Sequence, residues 1–232
     1  MTMNGRLIGT QRATLAHEAR SEIERMIVDG ELAAGEKMNE LALSNAMGVS
    51  RGTVREAIRS LADSGLIDLI ANRGAFVHAT TLAEVRNLYE LRGAIFAMAC
   101  AAASRRVAKG AEPGLHQRLE RNIEKMKRAR ANEDATSYYK LNIEFHDILL
   151  EAANNPKAKT IYDKLVKEMH LFRRRGLSVA TNIARSLEEH ADISAAVISG
   201  DPEAARATAH THITSGFARY MHMLDQEPGE AG

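Results

Sequence analysis

The 232-residue sequence has a single cysteine, no tryptophan, four prolines and a formal net charge of only +1. One cysteine, Cys100, excludes an intrachain disulfide and fits a reducing compartment. Aromatic residues make up 4%, which argues against the base-stacking platforms of single-strand and many RNA binders. No apolar run approaches the roughly 18 residues that span a bilayer, and the first twenty residues hold no apolar signal core. The cytoplasm is therefore the expected location, with no membrane partner. The charge balance excludes a uniformly basic surface. Residues 1–78 hold nine Lys/Arg against ten Asp/Glu, so a nucleic-acid face there must be assembled locally. Internal repeats and low-complexity tracts are also missing.

What is there is a helical pattern punctuated by Gly, Pro and Asn. Residues 11–29 read as a helix with Leu15, Ala19, Ile23, Met26 and Ile27 on one face. Asn39 is placed to cap a short helix over 40–47, Gly48 to end it, and Ser50 to cap the next. That next helix runs from about 51 to 64 with Val54, Ile58 and Leu61 on its apolar stripe, and Gly65 suits its left-handed end. Leu66–Ile70 and Ala75–His78, joined through Asn72-Arg73-Gly74, read as a β-hairpin. Three helices and a hairpin in about 70 residues is the winged helix-turn-helix layout. From Thr81 onward only helices are expected: to about 108, over about 115–131, to Asn154-Asn155, from Pro156 to about 175, over about 180–199, and from Asp201-Pro202 to about 224. The tail DQEPGEAG reads as disordered. The predicted fold is thus mostly α: a winged domain over 11–79 and an all-α bundle of about six to seven helices over 80–225.

The stretch from Gly48 to Ile70 carries the sharpest signal. Arg51, Arg55 and Arg59 recur every four residues opposite the apolar stripe. A helix fits the major groove of duplex DNA, and its first residues lie nearest the base edges. Ser50, Arg51, Thr53 and Arg55 are therefore candidate DNA contacts, with Arg59 reaching phosphate. Arg73 and Gly74 at the hairpin tip are candidates for a wing contact. An ordinary solvated face would produce the same arginine spacing. The short preceding helix, the tight turn at Gly48 and the hairpin favour DNA.

The segment ELAAGEKMNELALSNAMGVSRGTVREAIRSLADSGLIDLIANRGAFV resembles the DNA-binding domain of the GntR family of regulators. The matching pieces are Gly30, Gly35, Glu40-Leu41-Ala42, Gly48-Val49-Ser50-Arg51, Val54-Arg55-Glu56-Ala57 and Asn72 through Val77. Gly52-Thr53 stands where many members have Thr-Pro, which weakens the helix start slightly and leaves the arginines in place.

In the second half, His146, His190 and His212 fall on separate helices, and Asn142 shares a helical face with His146. Neutral imidazoles converging inside a bundle could hold zinc or a similar ion, with positions left for water or a carboxylate. The plainer alternative is that they are surface or satisfied core histidines. Residues 82–225 resemble the FCD ligand-binding domain of the FadR-type subgroup, through Leu88-Tyr89-Glu90-Leu91-Arg92, Asn142 to His146, Glu189-His190, Gly200-Asp201 and His212-Ile213. That resemblance implies Asn142, His146, His190 and His212 as metal ligands, with Asn in place of the usual Asp. The amide is a weaker ligand and removes one negative charge; the alternative is a pocket that binds its organic ligand without a tightly held ion, with Asn142 and the histidines as hydrogen-bonding groups. The resemblance also implies that Arg92 lies near an effector cavity, with Asn142 and His146, where it could clamp the carboxylate of an organic acid. An acidic residue common four positions after that Arg is replaced here by Phe96. Arg173-Arg174-Arg175 reads as a solvated helix end rather than an effector clamp, with the alternative that one of the three points inward, and Lys125–Arg130 as a solvated helix face.

Together these readings imply a homodimeric DNA-binding regulator, with a repressor favoured, acting on double-stranded operator DNA and controlled by a small acid, with a divalent metal such as zinc as cofactor. The rival reading is a helical-bundle metalloenzyme that uses His146, His190 and His212 to activate water.

Overall fold

A computed structural model of the chain describes residues 10–169, 173, 176–177 and 179–226. It divides into two compact units, one ending at Thr81 and one beginning at Leu82.

The first unit contains α1 (Thr10–Val28), α2 (Glu40–Met47), α3 (Arg51–Ala62), β1 (Ile67–Ile70) and β2 (Gly74–Val77). Each boundary has a local cause. The Asn39 side chain accepts from the Ala42 amide at 3.0 Å, which satisfies one of the free N–H groups at the start of α2. Gly48 ends α2 at φ +64, in the left-handed region that L side chains avoid. Ser50 then caps α3, its Oγ accepting from the Thr53 amide at 3.1 Å. Val54, Ile58 and Leu61 of α3 are buried against Ile23 and Ile27 of α1. Removing each such side chain from water is worth about 1.5–3 kcal/mol, and this stripe sets the rotation of α3. Ala16, Ala19, Ile23 and Ile27 lie on the inward face of α1; Leu15, expected on it, is 40% exposed.

β1 and β2 pair antiparallel, Ile67 with Val77 and Ile70 with Gly74. Asn72 (φ 61) and Gly74 (φ 104) turn the hairpin. Residues 35–38 add a third extended rung: Met38 donates to the Ala75 carbonyl at 2.9 Å and Val77 to the Glu36 carbonyl at 2.8 Å. Only the inner end of β1 is covered. Leu69 and Ile70, expected as part of an apolar strand, are exposed.

The second unit is a bundle of α4 (Leu82–Ala108), α5 (Leu115–Ala131), α6 (Ala135–Ala152), α7 (Pro156–Glu168), α8 (Ala180–Ile198) and α9 (Pro202–Gln226), these being its helices among the described residues. Asp134, Asn155 and Asp201 cap α6, α7 and α9 with side-chain oxygens accepting from amides at 2.9–3.1 Å. α4 and α9 form the most extensive helix pair, and α5, α6 and α8 complete the packing. The core includes Phe96, Tyr138, Phe145, Leu149 and Tyr162. α7 ends at Glu168, short of the expected 175. α9 runs through Asp225 and Gln226, so the expected tail is helical at its start, and its remainder lies outside the described residues. Among the described residues no helix is long and apolar enough to cross a membrane.

Candidate functional site

In the first unit, α3 presents its polar side to solvent. Arg51 and Arg55 keep 60% and 50% of their side chains exposed, and Arg59 is exposed as well. Ser50 is exposed at the helix start. Thr53 is not on that surface: it is 6% exposed, and its hydroxyl lies 2.8 Å from Ser50 Oγ. The helical period explains this, because 53 falls beside 54, 57 and 61 on the buried stripe.

A residue outside the sequence-derived set organises the arginines. Glu40, at the first turn of α2, accepts from Arg55 Nη2 at 2.7 Å and from Nε at 3.2 Å. Arg51 Nη2 lies 3.8 Å from the same carboxylate. The Arg55 hydrogen bond, opposed by partial burial and aided by the Arg55, Arg51 and Arg59 charges, holds the Glu40 carboxyl below its usual range. Elsewhere on the unit, Arg25 takes up Glu22, Asp29 and Glu31. That pairing consumes three of the acidic groups that make the unit neutral overall. At the hairpin tip, the exposed Arg73 guanidinium stands 5.5 Å from the Phe76 ring centroid, with Lys37 Nζ 6.0 Å from it. A Cβ on Gly74 would meet Lys37 Cε at 3.5 Å, beyond the demand for a positive φ.

In the second unit, His146 of α6, His190 of α8 and His212 of α9 meet in the core, all buried. His146 Nε2 lies 3.4 Å from His190 Nε2 and 3.3 Å from His212 Nε2. At a metal–nitrogen distance of about 2.0–2.1 Å, a tetrahedral ion sets neighbouring nitrogens about 3.3–3.4 Å apart. The spacing therefore fits a divalent ion. The groups behind two of the rings fit it too, while His190 Nδ1 has no hydrogen-bond partner among the described residues. His212 Nδ1 lies 2.8 Å from Glu189 Oε2, which directs its proton away from Nε2. His146 Nδ1 lies 2.8 Å from the Tyr162 hydroxyl. The Phe96 ring packs tilted against His146 at 4.2 Å between centroids, so Phe96 forms an apolar wall of the cluster.

Burial, reinforced by the Arg92 charge and the neighbouring imidazoles, pushes His146 well below the ordinary histidine value, and burial does the same to His190. His212 is lowered by burial, against the opposing pull of Glu189. Burial pushes the Glu189 carboxyl up, but hydrogen bonds from His212 and Arg219 outweigh it and keep the group ionised. All three imidazoles are thus neutral near pH 7, the form that ligates metal.

Asn142 joins the cluster by its amide nitrogen, not its oxygen. Nδ2 lies 3.4 Å from His190 Nε2, while Oδ1 accepts from Arg173 Nη2 at 2.7 Å. A guanidinium has only donors, so it fixes the amide in this orientation and engages the oxygen expected as a ligand. Arg173 itself corrects the solvated-end reading: it is 5% exposed. Arg174 and Arg175 lie outside the described residues. Arg92 is 3% exposed, and its guanidinium lies 5.4 Å from the Tyr162 ring centroid. Desolvation lowers its pKa from the ordinary arginine value, with the Arg173 charge adding to the effect. Cys100 is buried and its thiol is pushed up by burial, which leaves it unreactive.

Residues 15–77 match the bacterial regulatory proteins of the gntR family, and residues 87–215 match the FCD domain. The HTH-type transcriptional repressor RspR of Escherichia coli is 29% identical over 191 residues, spanning 82% of each chain. The HTH-type transcriptional regulator YdhC of Bacillus subtilis is 26% identical, over 89% of this chain and 91% of the other. The fold is shared with the solved structure of E. coli McbR/YncC, at a TM-score of 0.72 and 19% identity, over 90% of this chain and 98% of that one. The family and these relatives are transcriptional regulators, not enzymes, so the metalloenzyme reading is set aside. A winged helix-turn-helix followed by an FCD domain, matched across nearly the whole chain, makes this protein a member of the GntR family of transcriptional regulators.

Proposed function

We propose that the chain is a homodimeric repressor that reads duplex operator DNA with the outer side of α3 and is controlled by a carboxylate metabolite bound beside a divalent metal, zinc, in the helical unit. The observation that carries the DNA reading is the exposed row Arg51, Arg55 and Arg59 on a helix whose rotation is fixed by its buried stripe. Ser50, at the start of that helix, and Arg73 and Gly74, at the hairpin tip, would add phosphate or groove contacts. Thr53 would act through Ser50. The repressor assignment draws on the name of RspR.

The convergent Nε2 atoms of His146, His190 and His212 support a metal site, and the buried Arg92 supports an acidic effector. The metal would supply a Lewis-acidic anchor for a carboxylate oxygen. A half-exposed Leu91, flanked on its side of α4 by the partly covered Leu88, Ile95, Met98 and Ala102, supports a dimer contact. An effector can act only by binding the DNA-competent and DNA-incompetent states with different affinity.

Titration of a fluorescent operator fragment tests the DNA assignment. Arg51→Ala and Arg55→Ala should each weaken specific binding by about 1–3 kcal/mol; unchanged affinity and preference in both would refute it. Elemental analysis of untagged protein tests the metal, with near-stoichiometric zinc expected and its loss in His146→Ala.

A further inference from the structure

We infer that Glu40, on α2, is a specificity-determining residue: its carboxylate grips one edge of the Arg55 guanidinium, so that Arg55 meets the duplex with its other edge and reads a base instead of folding onto a phosphate. The inference rests on the reading above, in which the outer side of α3 faces operator DNA, and adds the residue that orients the contact.

The grip has two points. Arg55 Nε donates to Glu40 Oε1 at 3.2 Å, and Nη2 donates to Oε2 at 2.7 Å. A guanidinium carries five N–H donors in a rigid planar fork. This pairing occupies the Nε side and leaves the end of the fork, Nη1 and the second hydrogen of Nη2, unengaged by Glu40. Two donors side by side match O6 and N7 of a guanine. Arg51 Nη2 is 3.8 Å from Glu40 Oε2, beyond hydrogen-bond range, so the carboxylate orients Arg55 and leaves Arg51 free to turn.

The frame holds the acid in place. Glu40 follows the cap residue Asn39 in the first turn of α2, and its side chain is 27% exposed against 50% for Arg55. The Arg55 hydrogen bond, with the charges of Arg55, Arg51 and Arg59, keeps it ionised. Folding does not account for the pair, because an ion pair with so exposed an arginine adds little to stability. Affinity does not account for it either, because a carboxylate on a surface that approaches phosphates repels duplex of any sequence. Orientation does. Arg55 enters the groove with its rotamer already chosen, and attachment through phosphates alone is disfavoured. Specificity is the difference between those two affinities.

The test uses the full-length chain. A duplex that the native protein selects from a random library is compared, by fluorescence titration, with its single-base-pair variants and with a scrambled duplex. Arg55→Ala should relax the preference at one position of each half-site. Glu40→Ala should relax the same position by about five-fold or more, while the scrambled duplex is bound as tightly as by the native chain or more tightly. Glu40→Gln, which keeps one acceptor oxygen, should fall between the native chain and Glu40→Ala. Added to Arg55→Ala, Glu40→Ala should change the preference no further. Full preference retained in Glu40→Ala would overturn the inference, as would a loss equal on every duplex, the mark of a merely structural role. Should Glu40→Ala misfold, the isosteric Glu40→Gln carries the same comparison. If no duplex is enriched, or Arg55→Ala relaxes no position, the reading of α3 itself fails. A position relaxed by Arg55→Ala and untouched by Glu40→Ala sinks only the present inference.

Discussion

Tyr162 is the residue on which the state of the histidine cluster turns. For His146 to offer a lone pair at Nε2, its Nδ1–H must donate to the Tyr162 oxygen 2.8 Å away. Tyr162→Phe removes that acceptor and should lower metal affinity about 10–100-fold, measured by competition with a chromogenic chelator. Unchanged affinity would mean that His146 is oriented by its packing on Phe96 alone. The three histidines also set a pH dependence. Their folded values lie below the ordinary one, so the unfolded chain takes up more protons below about pH 6.5. The stability of the neutral cluster is complete above that pH and is lost as pH falls through it. Metal-stripped protein should melt at a lower temperature at about pH 5.5 than at about pH 7.5; equal melting temperatures would contradict neutral burial. At this scale the sequence was uneven. The three histidines were legible because each falls on a separate helix. Which of Arg173, Arg174 and Arg175 faces inward was not, because three consecutive arginines carry no period. A helix spreads three successive residues over about 200°, however, and that spread is the available signal that one of them faces inward. Thr53 was counted among the contacts for its place at the helix start, although its spacing from Val54, Ala57 and Leu61 places it inside.

The elements obey their punctuation. Asn39, Gly48, Ser50, Asn155 and Asp201 were readable as boundaries because each meets a need of the helix end, a side-chain acceptor or a left-handed backbone. Less readable was the strand-like stretch at 35–38, whose pairing with β2 depends on the tertiary fold and not on its own sequence. Glu40 was passed over for the same reason. Its partner Arg55 lies 15 positions away, and only the α2–α3 crossing brings them together. Gly200 between α8 and α9 offers a sharper check. It sits at φ +76, and a Cβ there would come within 3.2 Å of Ala108 Cβ at the end of α4. Gly48, at φ +64, has open space around it. Gly200→Ala should therefore destabilise the protein more than Gly48→Ala, which carries only the backbone penalty of about 1 kcal/mol. Urea denaturation of both variants measures the difference, and equal losses would show that Ala108 yields freely.

The molecule as a whole joins a unit that is neutral in sum and basic only in places to a bundle whose core is polar where a bundle is usually greasy. Local pairing makes the first possible: Arg25 gathers acids at one end of the winged unit, and α3 keeps its arginines outward. Buried histidines and arginines in the second are costly to hold, and anything that binds only the folded unit would stabilise it. The most direct measurement is selection of binding sites from a random duplex library by the full-length chain, run in parallel with Arg51→Ala and Arg55→Ala. The expected result is a two-fold symmetric motif for the native chain, with enrichment lost at defined positions of each half-site in the two variants. The same motif recovered with equal enrichment from all three proteins, or no enriched duplex at all, would contradict the assignment of α3 as the reading element.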